Sequence, residues 1–377
     1  MKFTVSSQAL QQLLATMGKV ISNKSTFPIL DYFLLELKGD ELTVTTSDSE
    51  TMMVSSIKVD SVEQEGSIAA PSKRLQDTLK GFADMPITFD IDSSSWEIKM
   101  NWISGSISIP GTSPESYPKM KDIAQERREV SIDVDNLITG INKTIFATAD
   151  DDLRPIMNGI FFNIEEDKVT FVATDAHKLV RCSAKHSGDG GAASFILPKK
   201  SANLLKGIVT KAGDTITMLF DSQNAKFAFD NFTLMCRLID GNYPNYNAVI
   251  PTNNSNKVVV DRQELLNAIR RVAVCSNQAK NLICLDVEKN SIMLTADDVD
   301  YSASAQERLS CSYDGDNIRI GFKSIFLVEI LTNLESESVV IELGDATRAG
   351  VFKEEGNDNE SGVESLMLLM PMIIPMS

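Results

Sequence analysis

Histidine is nearly absent from this 377-residue chain, which has only His177 and His186. A histidine-rich metal or catalytic centre has too few ligands to form. Cysteine is sparse as well: Cys182, Cys236, Cys275, Cys284 and Cys311 make an odd set with no CxxC pair, which fits neither a disulfide framework nor a zinc site. They read as reduced core residues. Long apolar runs are missing too, since residues 366–376 are broken by Pro371 and Pro375 and fall short of the roughly 20 residues that a membrane helix needs. Residues 1–5 alternate like a strand, without an apolar h-region or a small-residue cleavage site, so the expected location is the cytoplasm. Finally there is no positive excess: 52 acidic against 36 basic residues leave a net charge of -16. Duplex DNA repels a uniformly acidic surface, so any nucleic-acid contact has to come from locally concentrated Lys and Arg.

What remains is ordinary globular material, 43% apolar and 23% charged, in a chain long enough for two or three domains. Three is the count that an internal repeat supports. Lys2-Phe3-Thr4-Val5 leads to Leu10, Leu13 and Leu14; Glu129-Val130-Ser131-Ile132 leads to Leu137, Ile138 and Ile141; Lys257-Val258-Val259-Val260 leads to Leu265, Leu266 and Ile269. Leu10, Leu137 and Leu265 lie 127 and 128 residues apart. In each copy the apolar period switches from 2 to 3.6, as it does where a strand feeds an amphipathic helix. A second such unit follows in each copy: Pro71-Ser72-Lys73 before Leu75, Leu79 and Phe82; Pro198-Lys199-Lys200 before Leu204, Leu205 and Ile208; Gly321-Phe322-Lys323 before Phe326, Leu327, Ile330 and Leu331.

Between these units lie short β-branched runs such as 41–46, 168–174 and 292–295, which read as antiparallel strands. The expected fold is α+β, with three repeated domains that each lay two helices on antiparallel sheet. Breaks in the polar, Pro-bearing stretches 118–128 and 251–257 place the domains at 1–124, 125–254 and 255–377. A single large α+β enzyme with accidental repeats is the alternative. Three similar domains, each rotated from the last, could also form an arc that a second chain closes head to tail.

Little in the chain looks catalytic. Asp175 and His177 could form an acid and base pair, but no Ser or Cys nucleophile motif accompanies them. The glycine-rich run 188–193 leads into a strand instead of opening a helix, so it reads as a hairpin loop and not a dinucleotide fingerprint. Asp150-Asp151-Asp152 and Asp297, Asp298 and Asp300 lack the spacing of a calcium loop. Residues 354–361 read as a charged connection between the last two strands.

Six blocks in order carry a resemblance over essentially the whole chain. They are the opening 1–5, Pro28-Ile29-Leu30, Arg154-Pro155-Ile156-Met157-Asn158-Gly159, Ala173-Thr174-Asp175-Ala176-His177-Lys178-Leu179, Asp240-Gly241-Asn242-Tyr243-Pro244-Asn245-Tyr246, and Met370-Pro371-Met372. With these blocks the sequence resembles the beta subunits of bacterial DNA polymerase III, the sliding clamps. That resemblance implies a non-catalytic, cofactor-free, head-to-tail homodimer of six domains, with an outer wall of sheets and twelve helices lining a hole for double-stranded DNA. It also implies, as partners, the replicative polymerase catalytic subunit, the clamp loader and other replication and repair proteins. A DNA-independent interaction scaffold is the competing reading, and a hydrolase using His177 a third.

On that architecture only helix faces turned to the lumen need be basic. The candidates for DNA contact are Lys24, Lys73, Arg74, Arg154, Lys199, Lys200 and Lys323, with Lys143, Arg270 and Arg271 inside helices. Contacts of this kind to phosphate position a protein without reading bases, and the chain has no base-reading motif. The family's client pocket, between its second and third domains, maps onto Met157, Gly159, Thr174, Ala176, His177, Lys178, Leu179, Pro244, Val249, Thr347, Met370, Pro371 and Met372. Methionine suits a site with many clients because its unbranched side chain repacks around different peptides. The same run 366–370 is equally a final buried strand. Ala176, Ala248 and a tail continuing beyond Met372 depart from the family pattern.

Overall fold

A computed structural model describes residues 1–22, 27–119, 123–124, 127–186, 191–209, 215–356 and 363–374. The repeat appears in the order of elements. The first copy runs β1 (Lys2–Ser6), α1 (Ser7–Met17), β2 (Tyr32–Lys38), β3 (Glu41–Ser47), β4 (Thr51–Lys58), β5 (Ser61–Gln64), β6 (Gly66–Pro71), α2 (Ser72–Leu79), β7 (Pro86–Ile91), β8 (Glu97–Trp102) and β9 (Gly105–Pro110). The second runs β10 (Arg128–Asp133), α3 (Val134–Ile145), β11 (Gly159–Ile164), β12 (Lys168–Thr174), β13 (Lys178–Lys185), β14 (Ala193–Pro198), α4 (Lys199–Ile208), β15 (Thr215–Phe220), β16 (Asn224–Phe229) and β17 (Phe232–Arg237). The third runs β18 (Asn256–Asp261), α5 (Arg262–Ala273), β19 (Leu282–Glu288), β20 (Ser291–Asp298), β21 (Ala303–Ser310), β22 (Ile318–Lys323), α6 (Ser324–Asn333), β23 (Ser338–Leu343), β24 (Gly350–Glu354) and β25 (Val363–Leu369). Each strand-to-helix unit read from the sequence is present. Phe82 is the exception, lying beyond the end of α2.

Helices α1 and α5 begin where side chains take up free backbone donors. Ser6 accepts from the N–H of Ala9 at 3.2 Å, and Asp261 accepts from Glu264 at 2.6 Å. The apolar stripes of the helices are fully buried: Leu10, Leu14 and Met17 on α1, Leu75 and Leu79 on α2, Leu265, Ile269 and Val272 on α5. Each such side chain contributes about 1.5 to 3 kcal/mol on leaving water.

The described residues group into two compact units. One comprises residues 1–134 and 200–238 and holds two antiparallel sheets, ordered β5-β1-β7-β8-β9 and β10-β15-β16-β17-β4-β3-β2-β6. The second sheet is shared by two copies through β17 and β4, with Leu234 opposite Met53 and Cys236 opposite Thr51. The other unit comprises the described residues within 135–186, 191–199 and 239–374, with sheets ordered β14-β11-β12-β13-β25-β24-β23-β18 and β21-β20-β19-β22. Here β13 and β25 join two copies in the same way, Lys178 opposite Leu369 and Val180 opposite Met367. The core of this unit packs α5 and α6 onto strands through Leu265, Ile269, Leu294, Phe322, Ile330 and Phe352. No helix among the described residues is long and apolar enough to cross a membrane.

Candidate peptide pocket and basic positions

The β12–β13 turn is locked by its own side chains. Asp175 accepts the N–H groups of His177 and Lys178, both at 2.9 Å, while the Thr174 hydroxyl donates to the Lys178 carbonyl at 2.7 Å. Closing so tight a turn drives Ala176 to φ +74°, a conformation that favours glycine. Facing this turn, a one-turn 3₁₀ helix, Pro155–Met157, is held by Ala149, whose N–H donates to the Met157 carbonyl at 2.8 Å. Asp151 braces the same loop by accepting from Arg154 Nε at 2.8 Å, and this contact keeps its carboxyl below the ordinary aspartate range. A second 3₁₀ turn, Tyr246–Val249, and the end of β25 complete the walls.

Together these segments enclose a cavity of about 250 Å³ lined by Met157, Thr174, Ala176, His177, Lys178, Leu179, Pro244, Asn245, Tyr246, Val249, Leu368 and Met370. Beneath it Phe161 stacks on Tyr243 with ring centroids 4.7 Å apart, next to the buried side chains of Val172, Leu179, Val351 and Leu368. Burial raises the Tyr243 hydroxyl above its ordinary range, so it stays a neutral phenol. The one ammonium in the lining points away from solvent: Lys178 Nζ lies 2.6 Å from Asp175 and 2.9 Å from Glu329, over the Phe326 ring at 4.3 Å. The cleft is therefore an apolar slot whose cation is already neutralised. It suits apolar side chains of a short extended ligand.

Nine of the expected pocket residues come together here: Met157, Thr174, Ala176, His177, Lys178, Leu179, Pro244, Val249 and Met370. Four do not line it. Gly159 opens the buried strand β11, where a Cβ would lie 2.5 Å from the Leu197 carbonyl, so its role is close packing. Thr347 is turned into its own loop, its hydroxyl donating to Asp345 at 2.6 Å. Pro371 and Met372 run on past the cavity, and Met372 donates its N–H to Gly321 at 2.8 Å. Asn245, Tyr246 and Leu368 were missed. The first two lie in the matched block 240–246, and Leu368 is concealed by reading as an ordinary buried strand residue.

The basic candidates divide. Lys143 is corrected: its side chain is 8% exposed and its Nζ lies 2.9 Å from Glu354 and 3.4 Å from Glu335, so it cannot reach phosphate. Its place inside a helix made it a candidate, but its ammonium turns to carboxylates of the third copy. Lys200 pairs with the buried Asp48 and donates to the Val20 carbonyl at 3.2 Å. Arg271 pairs with Glu307, Arg154 with Asp151, and Lys199 with Asp150 at 3.3 Å. Lys323 lies with its Nζ 5.1 Å from the Phe326 ring centroid. Lys73, Arg74 and Arg270 are exposed, and Lys73 and Arg74 border an open groove with Asp31, Tyr32 and Asp77. Lys24 lies outside the described residues. No cluster that could hold a metal ion occurs among the described residues.

A family model of the DNA polymerase III beta subunit matches the chain in three parts: its N-terminal domain at residues 1–121, its central domain at 131–245 and its C-terminal domain at 247–372. The chain is 27% identical over 375 residues to the beta sliding clamp of Pseudomonas putida KT2440, covering 99% of this chain and 100% of that one. It is 25% identical over 373 residues to the beta sliding clamp of Vibrio cholerae, with the same coverage. Among solved structures it is similar to a DNA polymerase sliding clamp from Pseudomonas aeruginosa with ligand, at TM-score 0.93, 26% identity and coverage of 99% and 100%. A clamp of the same species bound to griselimycin gives the same figures. Repeat, fold and matched spans agree along nearly the entire sequence: the chain belongs to the DNA polymerase III beta subunit family.

Proposed function

We propose that this chain is a DNA sliding clamp, a non-catalytic cytoplasmic ring of two copies that encircles duplex DNA and holds the replicative polymerase, the clamp loader and repair proteins through its apolar pocket. One observation carries the ring. Inside the chain, successive copies join by the same rule, the last strand of one copy pairing with the fourth strand of the copy before it, β17 on β4 and β25 on β13. By that rule β9 and β21 lack their partners: β9 ends one sheet and β21 ends another. The rule is satisfied when β9 of one copy meets β21 of a second, twice over, and the assembly then closes with no edge left at the joints. Division at 124/125 and 254/255 is the reading adopted for the three domains. The family spans support three, although the third begins at 247.

The lumen reading is electrostatic. Helices α1, α2, α4 and α6 carry no acidic residue in their first turns, so their positive ends stay open to phosphate. Lys73, Arg74 and Arg270 add exposed positive charge on helices, and Lys323 lies just ahead of α6. Lys199, Lys200, Arg154 and Arg271 stay in the set although each pairs with a carboxylate; Lys24, the remaining candidate, lies outside the described residues. A chain of net charge -16 then meets a polyanion only where these groups converge. The test of the joint is solution mass: two chains per particle, falling to one when Ser108 on β9 is replaced by Pro, which removes a backbone donor on the side of that strand facing away from β8. A single-chain wild type sinks the ring.

A further inference from the structure

The segment after β25 repeats a contact found in the other copies. Ala69 and Thr112 exchange backbone hydrogen bonds at 3.1 and 2.9 Å, and Ile239 donates to the Ile196 carbonyl at 3.0 Å. Met372 donates to the Gly321 carbonyl at 2.8 Å. Ala69, Ile196 and Gly321 occupy one equivalent place, three residues ahead of the second helix of each copy. So in every copy the segment leaving the last strand clips onto the strand that feeds the second helix. The third copy differs in one residue, since only there is the clip position a glycine. A Cβ at Gly321 would lie 2.8 Å from Leu282 Cδ1, 2.9 Å from Ile374 Cγ1 and 3.1 Å from the Met372 carbonyl oxygen. The tail thus lies closer to its strand than a side chain would allow.

We propose that Gly321, which lines no part of the pocket, is a positioning residue for client binding, because it lets the tail dock and so fixes Met370 as a pocket wall. This rests on the pocket being the client site. Met370 lies two residues before the clip and is 43% exposed, so little packing of its own restrains it. Its backbone is tied on both sides of Pro371, by Met370 N–H to the His177 carbonyl at 2.9 Å and by the Met372 clip. Ile373 and Ile374 lie beyond the matched family span; Ile373 is exposed, and Ile374 extends the anchor over Gly321. A tail lifted at Gly321 frees Met370 to move, and an apolar ligand then has to order that wall itself.

The test measures binding of griselimycin and of a labelled linear peptide from the cognate polymerase to the full chain, by fluorescence anisotropy and its competition. Gly321→Ala should weaken both about tenfold, and Gly321→Ala with Ile374→Ala should return to within about threefold of wild type. Met372→Pro removes the clip donor while leaving Gly321 in place, and should reproduce the loss at an unchanged melting midpoint. Wild-type affinity in Met372→Pro overturns the proposal, as does a failed rescue in a double variant that melts normally. Should the wild type bind neither ligand, it is the client-site reading that falls.

Discussion

The N–H of Met370 donates to the carbonyl of His177 at 2.9 Å, one step beyond the last rung of the β13–β25 ladder, where Leu369 faces Lys178. That contact brings a methionine from the third copy against a turn of the second, and it makes one wall of the pocket. Met370→Asp would set a carboxylate against an apolar ligand, with a desolvation cost that the cavity has no free cation to offset. Client-peptide affinity should fall at least about a hundredfold, with two chains per particle retained. Titration by fluorescence anisotropy beside a sedimentation run checks both. Unchanged affinity would move the client site elsewhere.

Ala176 holds φ +74° in the pocket turn. An L-residue there carries about 1 kcal/mol of steric strain that glycine lacks, partly offset by the greater freedom of glycine in the unfolded chain. Ala176→Gly should therefore stabilise the protein by about 0.5 kcal/mol, read from urea unfolding. A destabilisation of similar size would mean that the methyl contributes more to the slot than its strain costs.

Lys143 and Glu354 form a pair buried on both sides, with side chains 8% and 9% exposed. Lys143→Met would leave Glu354 without its cation and should cost about 3 kcal/mol of stability in denaturant titration. The salt at which loaded protein leaves circular DNA should stay where it is. A lowered salt limit in Lys143→Met would restore this lysine to the DNA-contacting set.

Burial pushes the thiols of Cys182 and Cys236 up to about 12, so neither supplies appreciable thiolate at pH 8. Cys284 is buried as well, whereas Cys275 and Cys311 are half-buried. In the native protein a thiol reagent should modify Cys275 and Cys311 alone, and all five in denaturant, as read by peptide mass spectrometry. Labelling of Cys182 at the rate of Cys311 would show that β13 opens readily.

The helices were legible because each carries its own apolar stripe, as Leu10, Leu13 and Leu14 do, and such a signal is local. The pairing of β17 with β4 was not legible. Leu234 and Met53 lie far apart in sequence, and strand alternation fixes which face is buried without naming the neighbour. Met157, His177 and Met370 could be assigned to one site only through the family resemblance, since no periodicity links three separate turns. Lys143 misled because a lysine inside an amphipathic helix usually faces water, and its carboxylate partner comes from β24, over two hundred residues on. Leu368 was hidden for the converse reason, being both core residue and pocket wall.

The enclosure of DNA is tested most directly by topology. Protein loaded onto circular duplex DNA should remain bound in salt high enough to abolish ordinary phosphate contacts, and should run off once a single cut makes the DNA linear. Retention is followed by gel filtration of labelled protein with the DNA. Equal loss from circular and linear DNA would contradict a closed ring.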